Sequence, residues 1–230
     1  METISIMTKK SNITLSSFLN REFAVASFPP TWFIFQPIAG ICAFLGLKLG
    51  LSPNGMTLLG GILGLYSMVQ FATIPIGFSS SVTLTFLLLM VYTMDCADGQ
   101  LARASKNTSL LGQWIDLSID LLLIVLLPIS IAFLITPHFS ILKVSQLTFI
   151  LIFGRSFSLL TSSMKRAAGE EHKPSSSILK KCIQSIVDTP VFYICIVWTR
   201  LNPEILYNVS ILYGILFFIE SIYFARTFRS

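Results

Sequence analysis

Six apolar stretches, each close to the length that crosses a lipid bilayer, decide what this chain can fold into. They run over about 54–75, 82–104, 110–135, 141–164, 183–200 and 204–225, with short polar connections between most of them. A helix needs roughly 20 apolar residues to span the hydrocarbon core. Within that core only helices or closed barrels satisfy every backbone group. Just 12% of the residues are charged and the mean hydropathy is +0.77, against about 25% charged in soluble domains. The prediction is an all-α integral membrane protein with six transmembrane helices and no soluble appendage.

The N-terminal end is organised differently. Residues 1–30 are mixed and polar, without the compact basic-then-apolar layout of a cleaved signal peptide. Ser16 to Phe28 is expected to form an interfacial helix that lays Phe18, Leu19, Phe23 and Val25 against lipid headgroups, ended by Pro29-Pro30. Residues 31–230 then read as one membrane domain. Its first stretch, 31–51, is apolar but interrupted by Gln36-Pro37 and Gly40, and it carries Lys48. It reads either as a span or as a helix lying in the interface. Ser52-Pro53 starts the next helix, with Ser52 as cap and Pro53 in the first turn.

Several function classes are excluded early. The four cysteines show no paired spacing, so neither a disulfide framework nor a zinc site is indicated. The two histidines, His138 and His172, fall in connections, which argues against histidine catalysis. The net charge of +5 is a topology signal, not a nucleic-acid footprint, because the basic residues flank apolar spans. If the 104–109 turn is cytoplasmic, thirteen lysines and arginines fall inside, while only Lys143 and Arg200 fall outside and Arg155 lies within the membrane. Both termini are then cytoplasmic. The 165–182 connection reads as a solvated loop or as a basic rim that attracts an anionic substrate.

One stretch stands apart from this apolar background: Asp95, Asp98, Asp116 and Asp120, in DCADGQLARASKNTSLLGQWIDLSID. Spacings of three and four place each pair on one helix face, and a polar turn between the pairs can reverse the chain. An aspartate at the centre of a membrane helix costs roughly 2.5–3.5 kcal/mol, and less near the ends. Four together also repel. Arg103 and Lys106 alone do not offset that cost. Hard carboxylate oxygens suit divalent cations such as Mg²⁺ or Mn²⁺, and two such ions about 3.5–4 Å apart form a clamp for phosphoryl transfer.

Asp95, Asp98, Gly99, Ala102, Arg103, Gly112, Asp116 and Asp120 fill the pattern D-x2-D-G-x2-A-R-x8-G-x3-D-x3-D without departure. The stretch resembles the signature of the CDP-alcohol phosphotransferase family, and the hydropathy of the rest resembles that family's six-helix membrane domain. The resemblance favours a juxtamembrane helix for 31–51. It implies a membrane transferase that moves a phosphatidyl group from a CDP-linked donor, CDP-diacylglycerol foremost, to the hydroxyl of a small polar alcohol such as glycerol 3-phosphate, inositol or serine, releasing CMP. The alternatives are a CDP-headgroup transferase acting on diacylglycerol and, from other classes, a cation-coupled transporter or a non-catalytic scaffold.

Further roles follow from the same resemblance. Asp95, Asp98 and Asp116 would hold one ion, Asp95, Asp116 and Asp120 the other, and Asp120 would act as the base. Asn54 and Thr57 resemble an N-x-x-T element beside the nucleotide. With Asp98, Gly99, Ala102, Arg103, Ser109 and Gly112 they are the candidate donor contacts. Taken singly, Asn54 and Thr57 also read as capping and helix-polar residues, the glycines and Ala102 as packing residues, and Arg103 as an inside-facing anchor. Gly112 is expected to let the two acidic helices approach. Arg155, mid-span, is expected to bind a phosphate on the acceptor or to pair with Asp188. Glu220 carries no assigned chemistry. A homodimer is expected by analogy with the family.

Overall fold

The computed structural model describes residues 30–167 and 185–225, together with Leu15, Phe18 and Leu19. Seven helices are present among the described residues, and no strand. They are α1 (Pro30–Lys48), α2 (Pro53–Thr73), α3 (Phe78–Ser105), α4 (Leu110–Ile135), α5 (Ile141–Ala167), α6 (Thr189–Thr199) and α7 (Pro203–Ala225). Five of them, α2, α3, α4, α5 and α7, are long and apolar enough to cross a membrane.

The expected span at 183–200 is different. Its helix α6 has eleven residues, about 16 Å of rise and near half of a bilayer core. The cause is local. Asp188 stands at the N-cap and Pro190 in the first turn, a start signal that places the helix origin inside the apolar run. Among the described residues five helices are therefore long and apolar enough to cross a membrane, and the expected sixth is not confirmed.

Packing arranges six of the helices in a closed ring. Helix α2 packs against α3 and α4, α4 against α5, α5 against α7, α7 against α6, and α6 returns to α3. The middle of the ring is solid. Phe71, Leu88, Ile131, Leu147, Phe192 and Phe217, one from each ring helix, are all at most 1% exposed in a single cluster. Burial on that scale contributes roughly 1.5–3 kcal/mol per large side chain where the reference is water, and close packing does most of the work where it is lipid. The ring's tightest crossing is between α5 and α7. A Cβ on Gly154 would lie 2.0 Å from the Gly214 carbonyl oxygen, so only glycine permits the backbones to touch there.

Helix α1 lies outside the ring, against α3. Gln36-Pro37 does not break it, although Pro37 sits inside the helix. The side chain of Gln100, on α3, donates to the Gln36 carbonyl at 3.2 Å and to Gln36 Oε1 at 2.5 Å, which fastens α1 at that point. Phe18 is 4% exposed and meets the Phe44 ring edge-on, so it packs on α1 and does not face lipid as expected. Leu19 packs against the cluster that holds Phe18; the rest of the predicted 16–28 helix, and most of the 165–182 loop, lie outside the described residues.

The two ends of the ring differ in chemistry. At one end α2, α4 and α6 begin and α3, α5 and α7 finish. Ser52 caps α2 by accepting from the Gly55 N–H at 3.1 Å. At the close of α3, Lys106 adopts a left-handed conformation (φ 53°) and the Asn107 N–H bonds back to the Ala102 carbonyl at 3.1 Å, which ends the helix and turns the chain. Ser109 then caps α4, accepting from the Gly112 N–H at 3.0 Å. At the other end Arg200, counted on the outer side of the membrane by the sequence, is 1% exposed. It donates to the Ile74 carbonyl and lies over the Phe71 ring.

Candidate active site

The sharp turn after α3 brings both acidic pairs to the same end of the ring. Helix α2 packs between α3 and α4, so the pairs face one another across its first turns. One carboxylate oxygen each from Asp95, Asp98 and Asp116 lie within 4.8 Å of one another. Asp95 is exposed, Asp116 half-buried and Asp98 only 7% exposed. Asp120, one turn further along α4, lines the same cavity.

That cavity has a volume of about 200 Å³ and is bounded by five of the six ring helices. Thr57, Gly60 and Gly61 come from α2, and the acids from α3 and α4. Arg155, Ser158 and Ser162 come from α5, and Thr189 and Tyr193 from α6. Tyr92 contributes a second phenol from α3. The acids therefore form one wall and an arginine–serine row the opposite one.

The acidic wall fits a cation. Oδ2 of Asp98 is buried and has no hydrogen-bond partner among the described residues. A buried carboxylate oxygen left this way costs free energy unless something positive meets it. The donor set is entirely carboxylate oxygen, the chemistry that Mg²⁺ and Mn²⁺ take. Three converging carboxylates, with a fourth in the same cavity, could hold such ions.

The predicted donor contacts divide into two groups. Thr57 and Asp98 line the cavity, with Thr57 lying against the Asp98 carboxyl. Asn54, Gly99, Ala102, Arg103, Ser109 and Gly112 do not line it. Gly99, Ala102 and Arg103 stand at the end of α3 beyond Asp98. Among the described residues, and apart from the helix's own backbone, only Arg103 Nη1, at 3.5 Å, comes within 4 Å of a Cβ placed on Gly99. Ser109 spends its side chain as the cap of α4. Gly112 admits the side chain of Asn54, whose Oδ1 would lie 2.8 Å from a Cβ there. Gly112 thus serves the approach of α2 to α4, and not the expected approach of the two acidic helices.

Arg155 lines the cavity. Its Nη1 donates to Thr189 Oγ1 at 3.3 Å, and its guanidinium lies 5.2 Å and 4.8 Å from the Phe192 and Phe217 ring centres. It forms no ion pair with Asp188, whose Oδ2 is buried without a hydrogen-bond partner among the described residues. Ser158, Ser162, Thr189, Tyr92 and Tyr193 escaped the sequence reading. A signal was present for two of them, since Ser158 and Ser162 follow Arg155 at helical spacings of three and seven.

No curated protein matches the chain. The profile of the CDP-alcohol phosphatidyltransferase family matches residues 50–221, three-quarters of the sequence. The match begins just beyond α1 and reaches into α7, so it takes in the ring, the four aspartates and the opposite wall. The chain belongs to the CDP-alcohol phosphatidyltransferase family of membrane transferases.

Proposed function

We propose that this protein transfers the phosphatidyl group of CDP-diacylglycerol to the hydroxyl of a small polar alcohol, releasing CMP, at the cytoplasmic face of the membrane. The observation that carries this reading is the convergence of Asp95, Asp98 and Asp116 within 4.8 Å in a cavity that also holds Asp120. The excess of basic residues on the acidic side of the spans supports the orientation.

Each wall has its own task. Asp95, Asp98 and Asp116 would hold one divalent cation, and Asp95, Asp116 and Asp120 a second. When bound, the ions supply charge neutralisation to the donor diphosphate and to the phosphate that departs on CMP. Thr57, Gly99, Ala102 and Arg103 receive the cytidine diphosphate along the end of α3, where a small residue permits close approach and the guanidinium pairs with a phosphate oxygen. Asn54, Ser109 and Gly112 shape the neighbouring start of α2 and α4. On the opposite wall, Arg155 orients the acceptor through an anionic or oxygen-rich group.

The acceptor oxygen then bonds to the β-phosphorus as the bond from that phosphorus to the CMP oxygen breaks. The electron pair leaves with CMP, and the acceptor's hydroxyl proton passes to Asp120. A positioned general base of this kind is worth roughly 10²- to 10⁴-fold.

Asp120→Asn is therefore expected to bind CDP-diacylglycerol and lose turnover by about that factor. Stripping divalent ions from the wild type should stop CMP release, and Arg155→Ala should raise the acceptor KM. Wild-type turnover from Asp120→Asn, or from ion-stripped protein, overturns the scheme.

A further inference from the structure

The α5 wall has a hydrogen-bonding polarity set from behind. Ser158 faces the cavity, yet its hydroxyl donates to Glu220 Oε2 on α7 at 3.4 Å. Ser162 also lines the cavity, and its hydroxyl donates to the Leu159 carbonyl at 2.9 Å. A serine hydroxyl carries one proton and two lone pairs. With both protons turned away, the two serines offer only acceptors to whatever enters. Arg155, one turn earlier, offers only donors. The wall thus reads donor, then acceptor, then acceptor.

Helix α7 is the one ring helix that lends no side chain to the cavity lining. It reaches the cavity from behind, through Glu220 on Ser158 and through Phe217 against the Arg155 guanidinium. Resting on the transferase reading above, we propose that Glu220 is a positioning residue for acceptor specificity: it orients Ser158 so that the acceptor alcohol must present a hydrogen-bond donor there, a hydroxyl or an ammonium, while Arg155 takes its oxygen-rich or anionic group.

The test is steady-state kinetics on full-length protein in detergent–lipid micelles, with CDP-diacylglycerol as donor. The acceptors are glycerol 3-phosphate, inositol and serine, with CMP release as the readout. Glu220→Leu removes the acceptor that holds the Ser158 proton, and Ser158→Ala removes the hydroxyl. Each should raise the acceptor KM about tenfold, the scale of one misplaced hydrogen bond, with the donor KM unchanged. The double variant should be no worse than either single one. Glu220→Gln keeps an oxygen able to accept from Ser158 and should restore the acceptor KM. The serine and inositol arms distinguish an ammonium from a hydroxyl as the group received.

An unchanged acceptor KM in Ser158→Ala overturns the inference. So does a parallel rise in donor and acceptor KM in Glu220→Leu, or a Glu220→Gln variant as impaired as the leucine one, since a purely ionic role for Glu220 gives that result. Absence of ion-dependent CMP release from the wild type with all three acceptors overturns the transferase reading and this inference with it.

Discussion

The two ends of the helix ring each bury a charge, and they treat it in opposite ways. At one end Asp98 is 7% exposed, with one oxygen unpartnered beside an open cavity and other acids close by. At the other, Arg200 is 1% exposed, donates to the carbonyl of Ile74 at the C-cap of α2 and rests on the Phe71 ring, while its Nε and Nη1 are, like Asp98 Oδ2, buried without a partner among the described residues. It does not line the cavity that holds the acids. A buried charge in a membrane protein points to function by default. Here the adjoining space separates the two cases. Asp98 faces a cavity wide enough to admit a ligand, whereas Arg200 is enclosed by the fold.

Substitution at the two positions should therefore give mirror-image results. Asp98→Asn is expected to lower turnover by on the order of a hundredfold or more, because it weakens a cation site. The detergent unfolding midpoint should hold or rise, since an uncompensated buried charge is removed. A variant with both full turnover and unchanged dependence on divalent ions would break the comparison at its acidic end.

Arg200→Ala should do the reverse. It empties one of the largest fully buried side-chain sites and leaves the Ile74 carbonyl without its donor. The expected cost is about 2–4 kcal/mol of stability, with kcat of the folded fraction unchanged. Arg200→Met refills most of the volume without charge and should recover much of that loss. A selective fall in kcat, in protein that unfolds normally, would show that the far end communicates with the cavity.

The same contrast explains what could be read from the sequence. The acidic quartet was legible because spacings of three and four put carboxylates on one helix face, and hydrocarbon makes a carboxylate expensive. The helix boundaries were legible wherever a cap and a proline coincide, as at Ser52-Pro53. The short α6 carries an equivalent signal at Asp188–Pro190, but the continuous apolar run around it suggested a full span. Ser158 and Ser162 share a helix face with Arg155, but that spacing is a weak signal. Serine is common in membrane helices, and only the ring closure shows which of them face the cavity. Gly112 was assigned the wrong neighbour because sequence order suggests that α3 meets α4, whereas packing inserts α2 between them.

The smallest expected effect sharpens the comparison within the acidic end itself. Ser52 and Ser109 are matched caps, each accepting from the N–H three residues on, at 3.1 Å and 3.0 Å. Loss of such a cap costs about 0.5–2 kcal/mol. Ser52→Ala and Ser109→Ala should therefore lower the unfolding midpoint by similar amounts. They differ in setting: Ser109 opens the acidic helix α4 beside Gly112 and Asn54, while Ser52 opens α2, which bears no aspartate. If Ser109 also touches the cytidine diphosphate, its alanine variant raises the KM for CDP-diacylglycerol by a few-fold, the scale of one hydrogen bond, and Ser52→Ala does not. Equal donor KM values in the two variants, with equal losses of stability, would assign Ser109 to the helix alone and remove it from the donor site.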